Sequence, residues 1–298
     1  MSFSAQVKEE LDRQYGSSRH CQIAEMAAYV ANIAKIQGGS LQFHSENDSL
    51  LKKVFTLLQK TYTINADENC GTGNLLVSDP ALAAFVADSV HFKEIREGAV
   101  SLLLLKNSCC KRAYLRGCFA CIGSMSDPGK SYHLEFHCAG ERQAVQLQEL
   151  LREFEITAKR TLRKGHTIVY LKESESIAAF LNVAGAHQAL MEMENLRIEK
   201  ELRGDANRRV NCDTANIQKT LDAAQRQLQD IQYLEAHYGL QRLPEQLRQM
   251  AEVRLEYPDA TLKELGELMD PPVGKSGVNH RLRKLSELAE ERKKQMNI

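Results

Sequence analysis

The first two thirds of the chain contain the same pattern twice, and this duplication constrains the fold more than any single residue. The tetrapeptide LQFH starts at Leu41, and LEFH starts at Leu134. Each is followed by an amphipathic stretch that predicts a helix, residues 50–62 in the first copy and 142–154 in the second. Each copy continues with a candidate strand and an apolar helix. The candidate strands are Asn74–Val77 and Thr167–Leu171. The pattern predicts an α+β domain over residues 1–192 with pseudo-twofold symmetry.

Each predicted half, about residues 1–100 and 101–192, opens with a helix that ends in glycine. These helices cover residues 21–37 and 111–122. Both contain small residues, which allow two helices to approach closely. We expect the two helices to pack against each other along the pseudo-twofold axis.

Near the C-terminus, residues 261–289 predict two short amphipathic helices joined by a turn rich in proline and glycine. Thr261 and Glu264 form a capping box for the first helix, and Asp270-Pro271-Pro272 cannot continue it. Ser276 is the predicted N-cap of the second helix. The connection is longer than the usual turn of three or four residues. The segment is typical of a helix-turn-helix.

The second of these helices has an apolar stripe and a polar outer face. Val278, Leu282 and Leu285 recur at helical spacing and predict the buried side. The candidates for contacts with base edges are Ser276, Asn279, His280, Arg283 and Lys284. The candidates for contacts with phosphates are Lys275, Arg281, Arg292 and Lys293. The last 24 positions contain seven Lys and Arg residues but only three Glu residues. This local excess of positive charge favours double-stranded DNA as the partner. The alternative is two solvent-exposed helices of an ordinary bundle.

Between the two parts, residues 193–240 predict a basic linker and a long amphipathic helix, followed by a helix-turn-helix domain over residues 241–298. The helix has a narrow apolar stripe formed by Ile217, Leu221, Ala224, Leu228, Ile231 and Leu234. Two interpretations remain open. The stripe packs on one of the protein's own domains, or it mediates a weak dimer of an otherwise monomeric protein.

A basic cluster precedes this stripe and surrounds Gly204, a candidate hinge. Its members are Arg197, Lys200, Arg203, Arg208 and Arg209. One interpretation is a second patch that contacts DNA phosphates. The other is a solvated face that pairs with Glu194, Glu199 and Glu201.

Composition excludes several classes of protein. The 298 residues include 39 basic and 39 acidic ones, so the formal net charge is zero and any DNA contact must come from local patches. The N-terminus has no apolar signal core, and no apolar run, Leu102–Leu105 included, is long enough to span a bilayer. We expect a cytoplasmic protein with no membrane partner, whose eight cysteines stay reduced.

The cysteines also raise the question of a metal. Cys118 and Cys121 form a Cys-x-x-Cys pair, but no second pair at zinc-finger spacing accompanies it. The pair lies in an apolar helical pattern, where cysteine usually serves as a small buried hydrophobic residue. The nearby ligands that a metal could recruit are Cys109, Cys110, His133, His137 and Cys138. We expect neither a metal nor a cofactor.

Residues 114–124 resemble the LAGLIDADG motif of homing endonucleases. In those enzymes an acidic residue just before the terminal glycine holds a catalytic divalent metal. Ile122 occupies that position here, and Gly38 is assigned to it in the first copy. Neither residue can ligate magnesium. Asp127 lies close by, in a sequence typical of a turn.

A LAGLIDADG-like domain without its acids, followed by a helix-turn-helix, is similar to the bacterial WhiA family over essentially the whole chain. The segments that carry the likeness are residues 109–113 (CCKRA), 207–216 (NRRVNCDTAN) and 276–285 (SGVNHRLRKL). The resemblance implies a nucleoid-associated DNA-binding regulator of transcription, cell division and chromosome segregation, and of sporulation in spore-forming relatives. It implies no enzyme activity, and another transcription regulator is a candidate partner. The alternatives are a protein-interaction scaffold and a metal-dependent endonuclease.

Overall fold

The computed structural model describes residues 2–64, 67–69 and 73–296 and divides into two compact units. The first unit covers residues 1–201 and the second covers residues 202–298. The division therefore falls at 201/202, later than the predicted domain boundary at residue 192. Each unit is described by itself.

The first unit is an α+β domain built from two similar halves. Its first half contains α1 (Phe3–Asp12), α2 (Arg19–Ile33), β1 (Ala34–Gln37), β2 (Ser40–His44), α3 (Asp48–Tyr62), β3 (Asp67–Asn69), β4 (Asn74–Val77), α4 (Pro80–Ser89) and α5 (Phe92–Arg96). Its second half contains α6 (Ser108–Ile122), β5 (Gly123–Met125), β6 (Leu134–Cys138), α7 (Glu141–Arg152), β7 (Lys159–Arg163), β8 (His166–Leu171) and α8 (Ser174–Ala184). The predicted α+β fold is confirmed.

The two sheets confirm the internal duplication. Within the described residues, each half has a four-stranded antiparallel sheet, ordered β1-β2-β4-β3 in one half and β5-β6-β8-β7 in the other. The repeated tetrapeptides form equivalent inner strands, since Leu41 pairs with Val77 and Leu134 pairs with Leu171. Their alternating side chains are buried, as expected for a sheet with one face on the core.

One boundary in the first half was predicted wrongly. The helix expected to reach residue 37 ends at Ile33, and Ala34–Gln37 forms an edge strand instead. Gly38 and Gly39 have φ values of +58° and +82° and connect the paired residues Gln37 and Ser40. Two residues with positive φ are what a tight hairpin turn requires. These glycines therefore close a β-hairpin and do not end a helix.

The core of the first unit forms where α2 packs against α6. A Cβ added at Gly117 of α6 would lie 2.7 Å from the Cβ of Ala28 in α2 and 3.2 Å from the backbone oxygen of Glu25. Glycine and alanine thus bring the two backbones close together, as the small residues in these helices led us to expect. Aromatic side chains extend the core in the second half, where the rings of Phe119, Phe136 and Phe180 pack edge to face or tilted at centroid distances of 5.4–6.0 Å.

A buried ion network lies beside this contact. Glu25 is fully buried, and its carboxylate lies 2.6 Å from the ammonium of Lys53, which is also buried. Arg116 and the hydroxyl of Tyr29 donate further hydrogen bonds to Glu25, and Lys53 donates to the backbone oxygen of Leu11. A buried charge is tolerated only when it is paired and hydrogen-bonded. The network therefore joins α1, α2, α3 and α6 in one arrangement.

The second unit is all helical. A long helix, α9 (His187–His237), begins in the first unit and continues into the second. It is followed by a 3₁₀ turn (Leu240–Arg242), α10 (Glu245–Glu256), α11 (Leu262–Glu267) and α12 (Lys275–Met296). The core of the second unit is formed by Ile231, Leu234, Leu240, Leu243, Leu247, Met250, Ala251, Leu265, Met269, Val278, Leu282, Leu285 and Ala289.

The long helix differs from the prediction in two ways. Gly204, the candidate hinge, lies within α9, which is helical on both sides of it. The predicted apolar stripe is fully buried only at its C-terminal end, at Ile231 and Leu234, while Ala224 and Leu228 are half-buried. Every residue from Asp205 to Leu221 is exposed, including Ile217, which is 61% exposed. Four of the six stripe residues are therefore buried or half-buried within the protein, and Ile217 and Leu221 are exposed.

We expect Gly117→Val to lower the free energy of unfolding by about 2–3 kcal/mol, because the added atoms must push α2 away from α6. The matched control is Gly140→Ala, since a Cβ at Gly140 meets nothing within 4 Å; its effect should stay within about 1 kcal/mol. The measurement is urea unfolding of the intact chain, followed by circular dichroism. Equal stabilities of the two variants would contradict close packing at Gly117.

Asp12 should make the stability depend on pH. Its side chain is 6% exposed, and burial, with Glu25 as a neighbour, raises the pKa of this carboxyl from 3.8 to about 6 against the opposing effect of Lys53. A carboxyl that binds its proton more tightly in the folded state stabilises the fold below the unfolded-state pKa. This stabilisation is lost as the pH rises towards 6. An asparagine at this position carries no titrating proton, so the variant Asp12→Asn should not lose this stabilisation. As the pH is raised from about 4 to about 8, the unfolding free energy of the variant should therefore increase by about 1–3 kcal/mol relative to that of the original chain. Parallel curves of unfolding free energy against pH for the two proteins would contradict this assignment.

Candidate nucleic-acid interface

The helix pair α11–α12 has the local structure that its sequence predicts. Thr261 caps α11: its hydroxyl accepts a hydrogen bond from the backbone of Glu264 at 3.3 Å, and the Glu264 carboxylate accepts one from the backbone of Thr261 at 2.7 Å. The preceding helix α10 ends at Glu256, next to Tyr257 and Pro258, as the proline predicts. Thr261 and Pro258 together fix where α11 begins.

The connection between α11 and α12 is held tightly against α11. The backbone nitrogen of Val273 donates a hydrogen bond to the backbone oxygen of Gly266 at 2.9 Å. A Cβ at Gly266 would lie 2.0 Å from the backbone oxygen of Val273, so only glycine fits there. The turn is long, but its path is fixed by this contact.

Helix α12 begins two residues before the predicted start. The backbone nitrogens of Gly277 and Val278 donate to the oxygen of Gly274, which makes Gly274 the residue that precedes the first turn. The prediction of Ser276 as the N-cap is therefore wrong by two residues, which is within the usual variation of helix ends. Ser276 lies in the first turn and is exposed.

The two faces of α12 separate as predicted. Val278, Leu282 and Leu285 are at most 1% exposed and pack in the core with α10 and α11. The exposed side chains of its first half are Lys275, Ser276, Asn279, His280, Arg283 and Lys284. Arg281 is half-buried, in keeping with its predicted place at the edge of the buried face. The burial of one face fixes the direction in which the other face points.

Arg283 has only a weak internal partner. Its Nε donates to the Glu287 carboxylate one turn further along α12, at 3.0 Å, and both side chains are more than half exposed. Exposed pairs of this spacing contribute about 0.3–0.5 kcal/mol. The guanidinium can therefore exchange this partner for another acceptor at little cost.

The last predicted phosphate ligands have partners inside the second unit. Lys293 contacts the carboxylate of Asp230 at 2.8 Å and lies 5.1 Å from the ring centre of Tyr233. Arg292 lies 4.4 Å above the ring of Tyr238. These contacts attach the end of α12 to the end of α9 and the residue that follows it. Phosphate binding by Arg292 and Lys293 stays a prediction.

Arg254, which the sequence did not single out, holds the segment that leads into α11. It is 3% exposed, and its guanidinium donates to the backbone oxygen of Ala260 at 2.6 Å, just before α11. Burial lowers the pKa of Arg254 from its ordinary value, opposed by Asp259. Arg254 and Asn279 line a cavity of about 210 Å³ beside α9. Arginine is usually exposed, so nothing in the sequence indicated that the side chain of Arg254 is buried.

The basic cluster on α9 does not form one uniform patch. In the first unit, Arg197 contacts Glu194 at 3.1 Å and Glu175 at 3.6 Å, and Lys200 donates to the backbone oxygen of Pro128 at 2.6 Å. In the second unit, Arg208 pairs with Asp205, while Arg203 and Arg209 are exposed on the helix surface. The Arg197–Glu194 pair agrees with the interpretation as a solvated face. The second phosphate patch stays a prediction for this cluster.

The ends of the two central helices have no carboxylate of their own. The last helical residues are Ile33 in α2 and Ile122 in α6, and each is followed by the first residue of a strand. The position equivalent to Ile122 is therefore Ile33. The assignment of Gly38 is wrong, because Gly38 belongs to the hairpin turn. Asp127 caps its own turn by accepting a hydrogen bond from the Gly129 backbone at 2.8 Å, as its sequence predicts.

The carboxylate beside the end of α6 is Glu135, which the sequence did not single out. It lies on β6 next to β5, and each of its oxygens is 3.0 Å from a histidine nitrogen, of His133 and His137 respectively. Burial acts to raise the pKa of Glu135, but the hydrogen bonds from the two histidines hold it below its ordinary value. These histidines therefore face Glu135. Cys118 and Cys121 lie on α6, where burial raises the pKa of the Cys118 thiol to about 12.

Comparisons with known proteins match the second half of the first unit and most of the second unit. Residues 111–203 match the profile of the WhiA LAGLIDADG-like domain, and residues 206–289 match that of the WhiA C-terminal HTH domain. The chain is 44% identical to the probable cell division protein WhiA of Alkaliphilus oremlandii over 97% of each chain. It is 45% identical to that of Heliobacterium modesticaldum over 97% of this chain and 96% of the relative. The chain belongs to the WhiA family.

The fold of a WhiA protein is also known from experiment. The crystal structure of full-length DUF199/WhiA from Thermatoga maritima superposes with a TM-score of 0.59 and covers 98% of this chain and 99% of its own, at 24% sequence identity. At that identity the likeness concerns the fold alone, a LAGLIDADG-like domain followed by a helix-turn-helix domain. Within the described residues, no helix is long and apolar enough to cross a membrane.

Proposed function

We propose that this WhiA protein binds double-stranded DNA through the outer face of α12 and regulates transcription during cell division. The observation that carries the proposal is the separation of the two faces of α12. Its apolar face is locked in the core by Val278, Leu282 and Leu285, while Ser276, His280 and Arg283 lie on the exposed face. In a helix-turn-helix, the second helix enters the major groove with its N-terminal residues against the base edges.

The residue types on this face suit that role. Arginine forms bidentate hydrogen bonds with guanine, asparagine with adenine, and serine with either kind of base. A good base contact is worth about 1–3 kcal/mol, which exceeds the value of the exposed Arg283–Glu287 pair that it would replace. Lys275, Arg281 and Lys284 would place positive charge near the phosphates on either side.

The biological setting is inferred from the relatives. Proteins that share 44–45% of their residues with this chain are named probable cell division proteins. We place this protein at the nucleoid, in control of transcription, cell division and chromosome segregation, with another transcription regulator as a candidate partner. The near absence of net charge supports a local DNA contact over a general coating of the nucleic acid.

The first test is DNA binding by the variant Arg283→Ala. Duplexes recovered by crosslinking and sequencing in the native host would serve as probes in fluorescence anisotropy. We expect a loss of about 1–3 kcal/mol, roughly 5- to 150-fold in Kd, on the preferred duplex and little change on unrelated duplexes. The matched control is Arg248→Ala, because Arg248 is an arginine of the same unit that pairs with Glu245 and Glu252 on α10.

Unchanged affinity of Arg283→Ala for the preferred duplex would contradict base reading by α12. A salt titration of the original protein adds a second criterion. Counterion release gives a steep fall of affinity with salt, so binding that does not depend on salt would contradict contact with the phosphates.

We further propose that the protein does not cleave DNA. Metal-dependent hydrolysis requires carboxylates that hold a cation beside the scissile phosphate, and Ile33 and Ile122 occupy the helix ends where a LAGLIDADG enzyme carries them. Incubation with supercoiled plasmid and magnesium or manganese should give no more nicking than the chelator control. Metal-dependent nicking that disappears in Asp127→Ala or Glu135→Gln would restore the nuclease hypothesis.

A protein-interaction scaffold is the second candidate, and the middle of α9 favours it. Leu202, Val210, Ile217 and Leu221 are 52–66% exposed on this helix. Exposed apolar side chains of this size mark protein contacts when they form a patch. Self-association in analytical ultracentrifugation that Ile217→Lys abolishes, with DNA binding unchanged, would show that this function exists beside DNA binding.

A further inference from the structure

Four metal-ligating side chains meet at the beginning of the two central helices. His20 and Cys21 are the second and third residues of α2, and Cys109 and Cys110 are the second and third residues of α6. One ligand atom from each residue lies within 4.8 Å of all the others. The Nδ1 atom of His20 lies 3.1 Å from the sulfur of Cys110 and 3.4 Å from the sulfur of Cys21. The internal duplication thus supplies one ligand pair from each half.

We propose that His20, Cys21, Cys109 and Cys110 bind one structural Zn²⁺ ion. Three thiolates and one imidazole are an established set of ligands for structural zinc. With Zn–S bonds of about 2.3 Å, two sulfurs of a tetrahedral site lie about 3.8 Å apart, so the observed cluster is within about 1 Å of the required geometry. Thiolates also disfavour magnesium and calcium, which prefer oxygen ligands.

The surroundings of the cluster suit a metal centre. Cys21 and Cys110 are 7% and 3% exposed, while His20 and Cys109 are exposed, so the cluster is closed on one side and reachable on the other. Gly16 packs against Cys21, since a Cβ at Gly16 would lie 2.9 Å from the Cβ of Cys21. All four ligands lie in the first turn of a helix.

The same site explains why four such residues lie at a structural contact. Zinc bound there would join the beginnings of α2 and α6, whose close packing forms the core of the first unit. Metal binding to the folded chain alone shifts the folding equilibrium towards the native state. The proposal concerns stability and does not rest on DNA binding.

The experiment uses the full-length chain, purified with an affinity tag that contains no histidine and analysed for metals by mass spectrometry. We expect about one zinc per chain. The double variant Cys109→Ser/Cys110→Ser should retain less than about a tenth of that amount. Cys212→Ser is the matched control, because Cys212 is an exposed cysteine on α9 and should leave the zinc content unchanged.

A second measurement keeps the proposal testable if the double variant does not fold. In the original protein, a thiol-specific mercurial should release one zinc per chain to a colorimetric chelator. Cobalt substitution should give the intense visible bands of a tetrahedral site with sulfur ligands. Purified protein without zinc, iron in its place, a disulfide between Cys21 and Cys109 or Cys110, or zinc retained by the folded double variant would each overturn the proposal.

Discussion

The close contact between α2 and α6 is the constraint on which the first unit depends. Gly117 and Ala28 let the two backbones approach, and the buried Glu25 carboxylate then finds Lys53 and Arg116 as partners. If the helices moved apart, the apolar contacts between them would be lost, and at the same time the buried carboxylate of Glu25 would lose its partners. Each four-stranded sheet begins where one of these helices ends, since β1 follows α2 and β5 follows α6. In the homing endonucleases, the motif that these helices resemble also supplies catalytic acids, whereas here isoleucines end them.

In the second unit, one buried face of α12 determines what its other face can do. Leu282 and Leu285 fix the rotation of the helix, and Arg254 and Gly266 fix the segments that lead into it. The polar residues of its first half are thereby presented together, without being needed for the core. Arg292 and Lys293 belong to the same basic segment but contact tyrosines at the end of α9 and just beyond it. Position along the helix therefore separates the exposed polar residues of the first half from the two basic residues that contact tyrosines.

The sites in the two units have different physical origins. The proposed DNA-binding face depends on the exposed polar side chains of a single helix, which a sequence pattern can reveal. The proposed zinc site depends on two helices whose ligand pairs are separated by almost ninety positions in the chain, between His20 and Cys109. The ligands meet because α2 and α6 run side by side. The contact that organises the core therefore also brings together the four ligands of the proposed metal site.

The sequence by itself determined the duplication, the α+β class of the first unit, the helix-turn-helix and the outer face of α12. Each of these follows from a short-range pattern, since helical and strand periodicities and caps act over a few residues. The structure alone decided that Gly38 turns a hairpin, that Gly204 is helical and that Glu135 lies between two histidines. It also decided that Cys109 and Cys110 meet His20 and Cys21 and not Cys118. These outcomes depend on which distant segments pack together, and the free energy of that packing comes from the whole core and not from any local pattern.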